Sequence, residues 1–152
     1  MDLPPGTGDI AISAAHLLPG SELIVVTTPQ LAAAEVAERA GSLATQLHQR
    51  VFGVIENMSY LPCPHCQERI EVFGNGGGQA VAQALTRLTG ATVPMLGEVP
   101  IDLRLREAGD EGVPLVLSNP QAPAAQVLSK IARQLGSSTR SLVGRQLGLT
   151  PA

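Results

Sequence analysis

L-I-V-V-T at residues 23–27, a long stretch from Gln30 to Gln49, and V-F-G-V-I-E at residues 51–56 decide the fold. The first and third segments are short, apolar and rich in β-branched residues, the pattern of buried strands. Between them Ala33, Val36, Ala40, Leu43 and Leu47 recur at intervals of three and four, which draws one apolar stripe down a helix. Glu35 and Arg39 are spaced for an i,i+4 pair on its wet face. Strand, helix, strand in this order predicts two parallel strands joined by a crossover helix.

The same alternation continues on both sides. Toward the N-terminus, residues 10–18 read as a short helix stopped by Pro19-Gly20. Toward the C-terminus, residues 70–73 are a short β-prone piece. Residues 79–88 form a helix with Val81, Leu85 and Leu88 on one face. Residues 92–99 read as a strand ended by Pro100, and Asp102 caps a short helix through Ala108. Residues 114–118 are a further strand candidate. Residues 123–135 form the last helix, with Val127, Leu128, Ile131 and Leu135 inward. The pattern predicts an α/β architecture with a mostly parallel sheet. Residues 1–136 are expected to be one domain, and residues 137–152, rich in Ser, Thr, Gly and Arg, a flexible tail.

Composition narrows the function. Hydrophobic residues make up 44% and charged residues 15% of the 152, which indicates a folded chain. Phe52, Phe73 and Tyr60 are the only aromatics, so the core rests on Val, Leu, Ile and Ala. A net charge of −3 leaves no electrostatic footprint for nucleic acid. No apolar run approaches the roughly 20 residues that span a bilayer, and the N-terminus lacks the pattern of a secretory signal. Two cysteines three positions apart are no secreted disulfide framework, so a reducing, cytoplasmic location is expected.

Two local motifs carry chemistry. C-P-H-C, Cys63 to Cys66, sets two thiols on one tight turn. Four ligands complete a tetrahedral zinc site or a four-iron cluster; one chain supplies two and two chains supply four. A metal or cluster shared across a homodimer axis is one reading. A thiol–disulfide site is another, which would want the motif at a helix N-terminus where the thiol pKa falls. Two inert thiols are a third. D-L-P-P-G-T-G-D, Asp2 to Asp9, places a carboxylate before a loop of Pro4, Pro5, Gly6 and Gly8. This is a device of Mg²⁺-nucleotide enzymes, whose loop moves when the γ-phosphate leaves; a plain turn with Asp9 capping a helix is the alternative. The glycines at 76–78 precede a helix, where backbone N–H groups can hold phosphate. No Lys, Ser or Thr stands in the required place, which favours a turn opening the helix.

D-L-P-P-G-T-G-D, T-T-P-Q at 27–30, E-N-M-S-Y-L-P-C-P-H-C at 56–66, F-G-N-G-G-G at 73–78 and G-E-V-P-I-D-L-R-L-R-E-A-G-D-E-G at 97–112 follow one another in an order and spacing that resembles the C-terminal half of the Mrp/ApbC family. These are iron–sulfur cluster carrier ATPases related to MinD and ParA-type P-loop proteins. The resemblance implies part of a P-loop NTPase-type sheet, mostly parallel and flanked by helices, with the phosphate-loop strand missing. It implies that Asp2 lies near Mg²⁺, with Pro4, Pro5 and Gly6 in the loop beside the γ-phosphate. It further implies that Asn57 reads the adenine edge and that Pro100 and its neighbours line the other side of the base. Cys63 and Cys66 would bridge a [4Fe–4S] cluster between two subunits of a homodimer and deliver it to apo iron–sulfur proteins. The chain contains no G-x-x-x-x-G-K-[ST] loop. Weak or absent ATP and Mg²⁺ binding and no ATP hydrolysis are therefore expected of it, together with an exposed strand edge.

Overall fold

The computed structural model describes residues 1–3, 9–18, 20–30 and 33–137, the side chains of 33–38 excepted. The chain runs α1 (Asp9–Leu17), β1 (Glu22–Thr27), α2 (Ala33–Gln46), β2 (Arg50–Glu56), β3 (Leu61–Pro62), β4 (Arg69–Ile70), α3 (Gly77–Thr89), β5 (Met95–Glu98), α4 (Leu103–Glu111), a single helical turn α5 (Leu115–Ser118), and α6 (Pro123–Ser137). The Glu35–Arg39 pair, the stop at Pro19, the loop at 4–8 and the tail beyond 137 lie outside the described residues.

Strands β1, β2 and β5 form a parallel sheet in that order. Its register jumps from Leu23 opposite Val51 to Ile24 opposite Gly53, so Phe52 is the extra residue of a bulge. The bulge shifts the alternation of β2 by one, so that Val51 and Val54, three positions apart, share one face and Phe52 and Ile55 the other. Val51 and Val54 join Ala44, Val81, Ala82, Leu85 and Val93 beneath α2 and α3. Phe52 and Ile55 pack on the opposite cluster of Leu96, Val99, Ala108, Leu115, Ala124, Ala125 and Ile131. Gly53 is required at the bulge, because a Cβ there would lie 2.6 Å from Leu96 Cγ and 2.8 Å from the Pro94 carbonyl oxygen. The result is three layers, α2 and α3 on one face and α4, α5 and α6 on the other. The β3–β4 hairpin stands apart as a second, antiparallel sheet.

Three strand expectations change. The piece expected at 70–73 is strand only at Ile70, the end of β4, and the chain turns at 72–73. Residues 114–118 are a helical turn: the Pro114 carbonyl accepts from Leu117 N–H at 2.9 Å and Ser118 N–H at 3.1 Å, and Leu115 is buried in the second core. A run of four apolar residues fits either state, and Pro114, at φ −58°, starts the turn. The strand expected at 92–99 shrinks to β5, because Val93 N–H bonds the Thr86 hydroxyl of α3 instead of a neighbouring strand.

Candidate functional site

Parallel strands end on the same side, so the loops after β1, β2 and β5 meet along one sheet edge, the usual ligand edge of α/β folds. Hydrogen bonds continue past the strands there. Asn57 N–H donates to Thr27 O at 2.7 Å, Val99 N–H to Glu56 O at 2.8 Å, Ser59 N–H to Val99 O at 3.0 Å and Ile101 N–H to Tyr60 O at 2.8 Å. Asn57 and Pro100 therefore stand on adjacent, bonded segments. Asn57 is half-buried, and its Oδ1 accepts from Met58 N–H at 2.9 Å, with Met58 in the left-handed region at φ 55°. The Pro100 ring is fully enclosed. Asp2 is exposed, with no hydrogen bond or ion pair to it among the described residues, while Pro4, Pro5 and Gly6 lie outside them.

Sequence reasoning passed over Glu56, which ends β2 at 3% exposure. Its Oε2 accepts from Gly78 N–H at 2.6 Å, and its Oε1 takes a short hydrogen bond from the Ser59 hydroxyl. The carboxylate sits at the N-terminus of α3, where the helix dipole favours negative charge. The Gly78 donor is thus committed to a protein carboxylate. The glycines at 77 and 78 serve close approach: a Cβ on Gly77 would collide with the Pro29 carbonyl, and one on Gly78 would lie 2.9 Å from Glu56 Oε2. The only local signal was a charged residue closing an apolar strand.

The cysteines occupy the turn of the hairpin. Leu61 pairs with Ile70 and Pro62 with Arg69, then Cys63 N–H donates to Glu68 O and Gln67 N–H to Cys63 O, both at 2.9 Å. Gln67 takes φ 62° to close the turn. Both thiols are free, Cys63 half-buried and Cys66 exposed. Backbone N–H groups of Cys66 and His65, then the Cys66 thiol, hydrogen-bond to Cys63 and hold its thiol below the ordinary range. This is a hairpin turn and not a helix N-terminus, so the thiol–disulfide reading lacks the helix it called for. Among the described residues, no group of three or more His, Cys, Asp or Glu is placed to hold a metal ion.

Two charged residues anchor the surroundings. The Arg69 guanidinium lies over the Tyr60 ring, 4.0 Å from its centroid, and pairs with Glu98 at 2.8 Å. Asp102 caps α4 through Arg104 N–H at 3.1 Å and pairs with Arg104 Nε at 2.9 Å. Burial raises the Asp102 pKa. The hydrogen bonds and charge of Arg104, with the Ala124 N–H, outweigh it and hold the carboxyl below its usual range.

A parallel sheet layered between helices, with a two-cysteine hairpin turn beside the loops that follow its strands, defines an α/β protein of the open parallel-sheet class. The chain belongs to the ParA family of NUBPL-type iron-transfer P-loop NTPases, whose sequence model matches residues 1–136. It is 58% identical over 151 residues, 99% of its length, to the iron–sulfur cluster carrier protein of Mycobacterium tuberculosis H37Rv, and covers 39% of that protein. It is 40% identical over 144 residues to the carrier of the same description from Pyrococcus furiosus, covering 95% of this chain and 46% of that one. Among solved structures, the septum site-determining protein MinD of Pyrococcus horikoshii, complexed with Mg-ADP, aligns at TM-score 0.60 and 26% identity over 88% of this chain and 48% of that one. MinD of Aquifex aeolicus aligns at TM-score 0.58 and 18% identity over 88% and 50%, a likeness of fold. The chain spans less than half the length of the two carrier proteins. No helix among the described residues is long and apolar enough to cross a membrane.

Proposed function

We propose that this chain is the cluster-binding module of an iron–sulfur carrier, with a [4Fe–4S] cluster as cargo held by Cys63 and Cys66 of two copies and passed to apo iron–sulfur proteins in the cytoplasm. The observation that carries this reading is the turn itself: two free thiols on one hairpin tip, with no third His, Cys, Asp or Glu among the described residues placed to hold a metal ion with them. Thiolates are soft donors suited to iron–sulfur clusters, and a four-iron cluster wants four of them. A second copy supplies the other two. The carrier names of the relatives point the same way.

The nucleotide side belongs to the same proposal. Asn57 with the Pro100 segment takes the base, and Asp2, Pro4, Pro5 and Gly6 serve Mg²⁺ and the γ-phosphate. The half-buried amide of Asn57 fits a base edge. The glycines at 76–78 do not fit phosphate, since Glu56 already holds the Gly78 donor. ATP binds the chain weakly or not at all and is not hydrolysed by it, because the sequence holds no lysine-bearing phosphate loop.

Reconstitution with iron and sulfide in the absence of oxygen tests the reading. The expected result is a thiolate-to-iron absorption band at about one four-iron cluster per two chains, with the mass of a dimer. Replacing Cys63 and Cys66 together by Ala removes both. A monomer with no band that reduces disulfides would overturn it in favour of thiol–disulfide chemistry; a colourless dimer holding zinc would make it a zinc-bridged protein.

A further inference from the structure

The cysteine hairpin is small. Two residue pairs make up its ladder, and an isolated two-stranded ribbon is marginal in water. Its orientation must come from outside itself. Arg69 stands opposite Pro62, the residue before Cys63. From there its side chain leaves the hairpin, places its guanidinium over the Tyr60 ring, 4.0 Å from the centroid, and reaches Glu98 at 2.8 Å. Both partners are fixed to the sheet edge. The Tyr60 carbonyl accepts from Ile101 N–H, and Glu98 is the β5 partner of Glu56. Arg69 is thus the side chain that joins the thiol turn to the edge bearing Asn57.

We infer that Arg69 is a positioning residue that sets the orientation of the Cys63–Cys66 turn through its seat between the Tyr60 ring and the Glu98 carboxylate. The consequence for metal rests on the carrier reading: two thiol pairs from two copies converge on one site only when each turn is held in one direction, and pre-organisation favours that assembly. Arginine suits the place because its planar head stacks and pairs at once; lysine offers a point charge alone.

The chain has one tyrosine and no tryptophan, so tyrosine dichroism in the near ultraviolet reports on Tyr60 with no metal present. In Arg69→Met that signal collapses while the far-ultraviolet spectrum stays unchanged, and the affinity of two chains for one cluster falls about fivefold. Arg69→Lys restores part of both. High salt weakens cluster loading in the parent chain and leaves Arg69→Met flat, because the contact with Glu98 is an exposed ion pair. An unchanged tyrosine signal in Arg69→Met would overturn the clamp, and a changed signal with unchanged loading would overturn its positioning role. If the parent chain forms no cluster, the carrier reading fails by itself. Cd²⁺ added at half an equivalent, followed through thiolate absorption, then reads the convergence of two thiol pairs directly; equal binding by parent and Arg69→Met overturns the inference.

Discussion

Glu56 is a carboxylate that solvent does not reach, and its two acceptors bind the start of α3 and the loop carrying Asn57. Removing it leaves the Gly78 N–H and the Ser59 hydroxyl without their acceptor. Leaving such a buried donor unmet costs about 1–3 kcal/mol. Glu56→Ala is therefore expected to lose about 2–3 kcal/mol in urea denaturation. Glu56→Gln keeps one acceptor oxygen and gives Ser59 a donor to accept from, and should lose about 1 kcal/mol. Equal losses would mean that charge, not hydrogen bonding, matters at this point. The two cysteines were legible because C-x-x-C is a local pattern whose geometry is fixed within four residues. Glu56 was not, since its helix partner stands 22 positions away. Arg69 was hidden likewise: Glu98 lies 29 positions on, and nothing in either neighbourhood announces the pairing.

At the scale of elements, Asp102 joins the start of α4 to the start of α6 through Arg104 and the Ala124 N–H. Replacing it by Ala removes an N-cap worth about 1 kcal/mol. Its carboxyl titrates lower in the folded chain than in the unfolded one, so the folded state binds this proton less readily. The contribution is full above the unfolded pKa of about 3.9 and fades as pH falls through the lower folded value. The stability difference between the parent and Asp102→Asn should shrink over that acid range and stay constant from pH 5 to 7; urea midpoints across pH check it. The cap was readable from V-P-I-D-L-R, since Asp before a helix is a local signal. The helical turn at Leu115–Ser118 was not, because its state is decided by Leu115 reaching the core under α4 and α6, a tertiary fact. The hairpin strand β3 was also missed, being two residues long and containing a proline.

For the molecule as a whole, periodicity gave the layers and the parallel sheet, while the bulge at Phe52, which shifts the alternation of β2 by one, was not legible, since the Gly53 beside it is fitted to Leu96 and Pro94, distant in sequence. The sheet is also unevenly covered. Leu23 and Val25 of β1 pack toward α2 and α3, but Ile24 and Val26 on the other face are 39% and 61% exposed. Among the described residues β1 pairs only with β2, and an apolar strand open in this way invites self-association. Val26→Lys is expected to lower concentration-dependent association, measured by sedimentation of the cysteine-free variant, with thermal stability within about 0.5 kcal/mol of its parent. No change in association would show that this face is not what drives it. The two-rung hairpin has a different consequence. Local openings of a folded protein differ widely in free energy. The amides of Cys63 and Gln67 are therefore expected to exchange with solvent through a local opening. Those of β2, paired on both sides, are expected to exchange only on global unfolding, which amide hydrogen exchange checks. The two-rung thiol turn is the part expected to open first, with the Arg69 contacts limiting the directions it takes, while the layers behind it hold their shape.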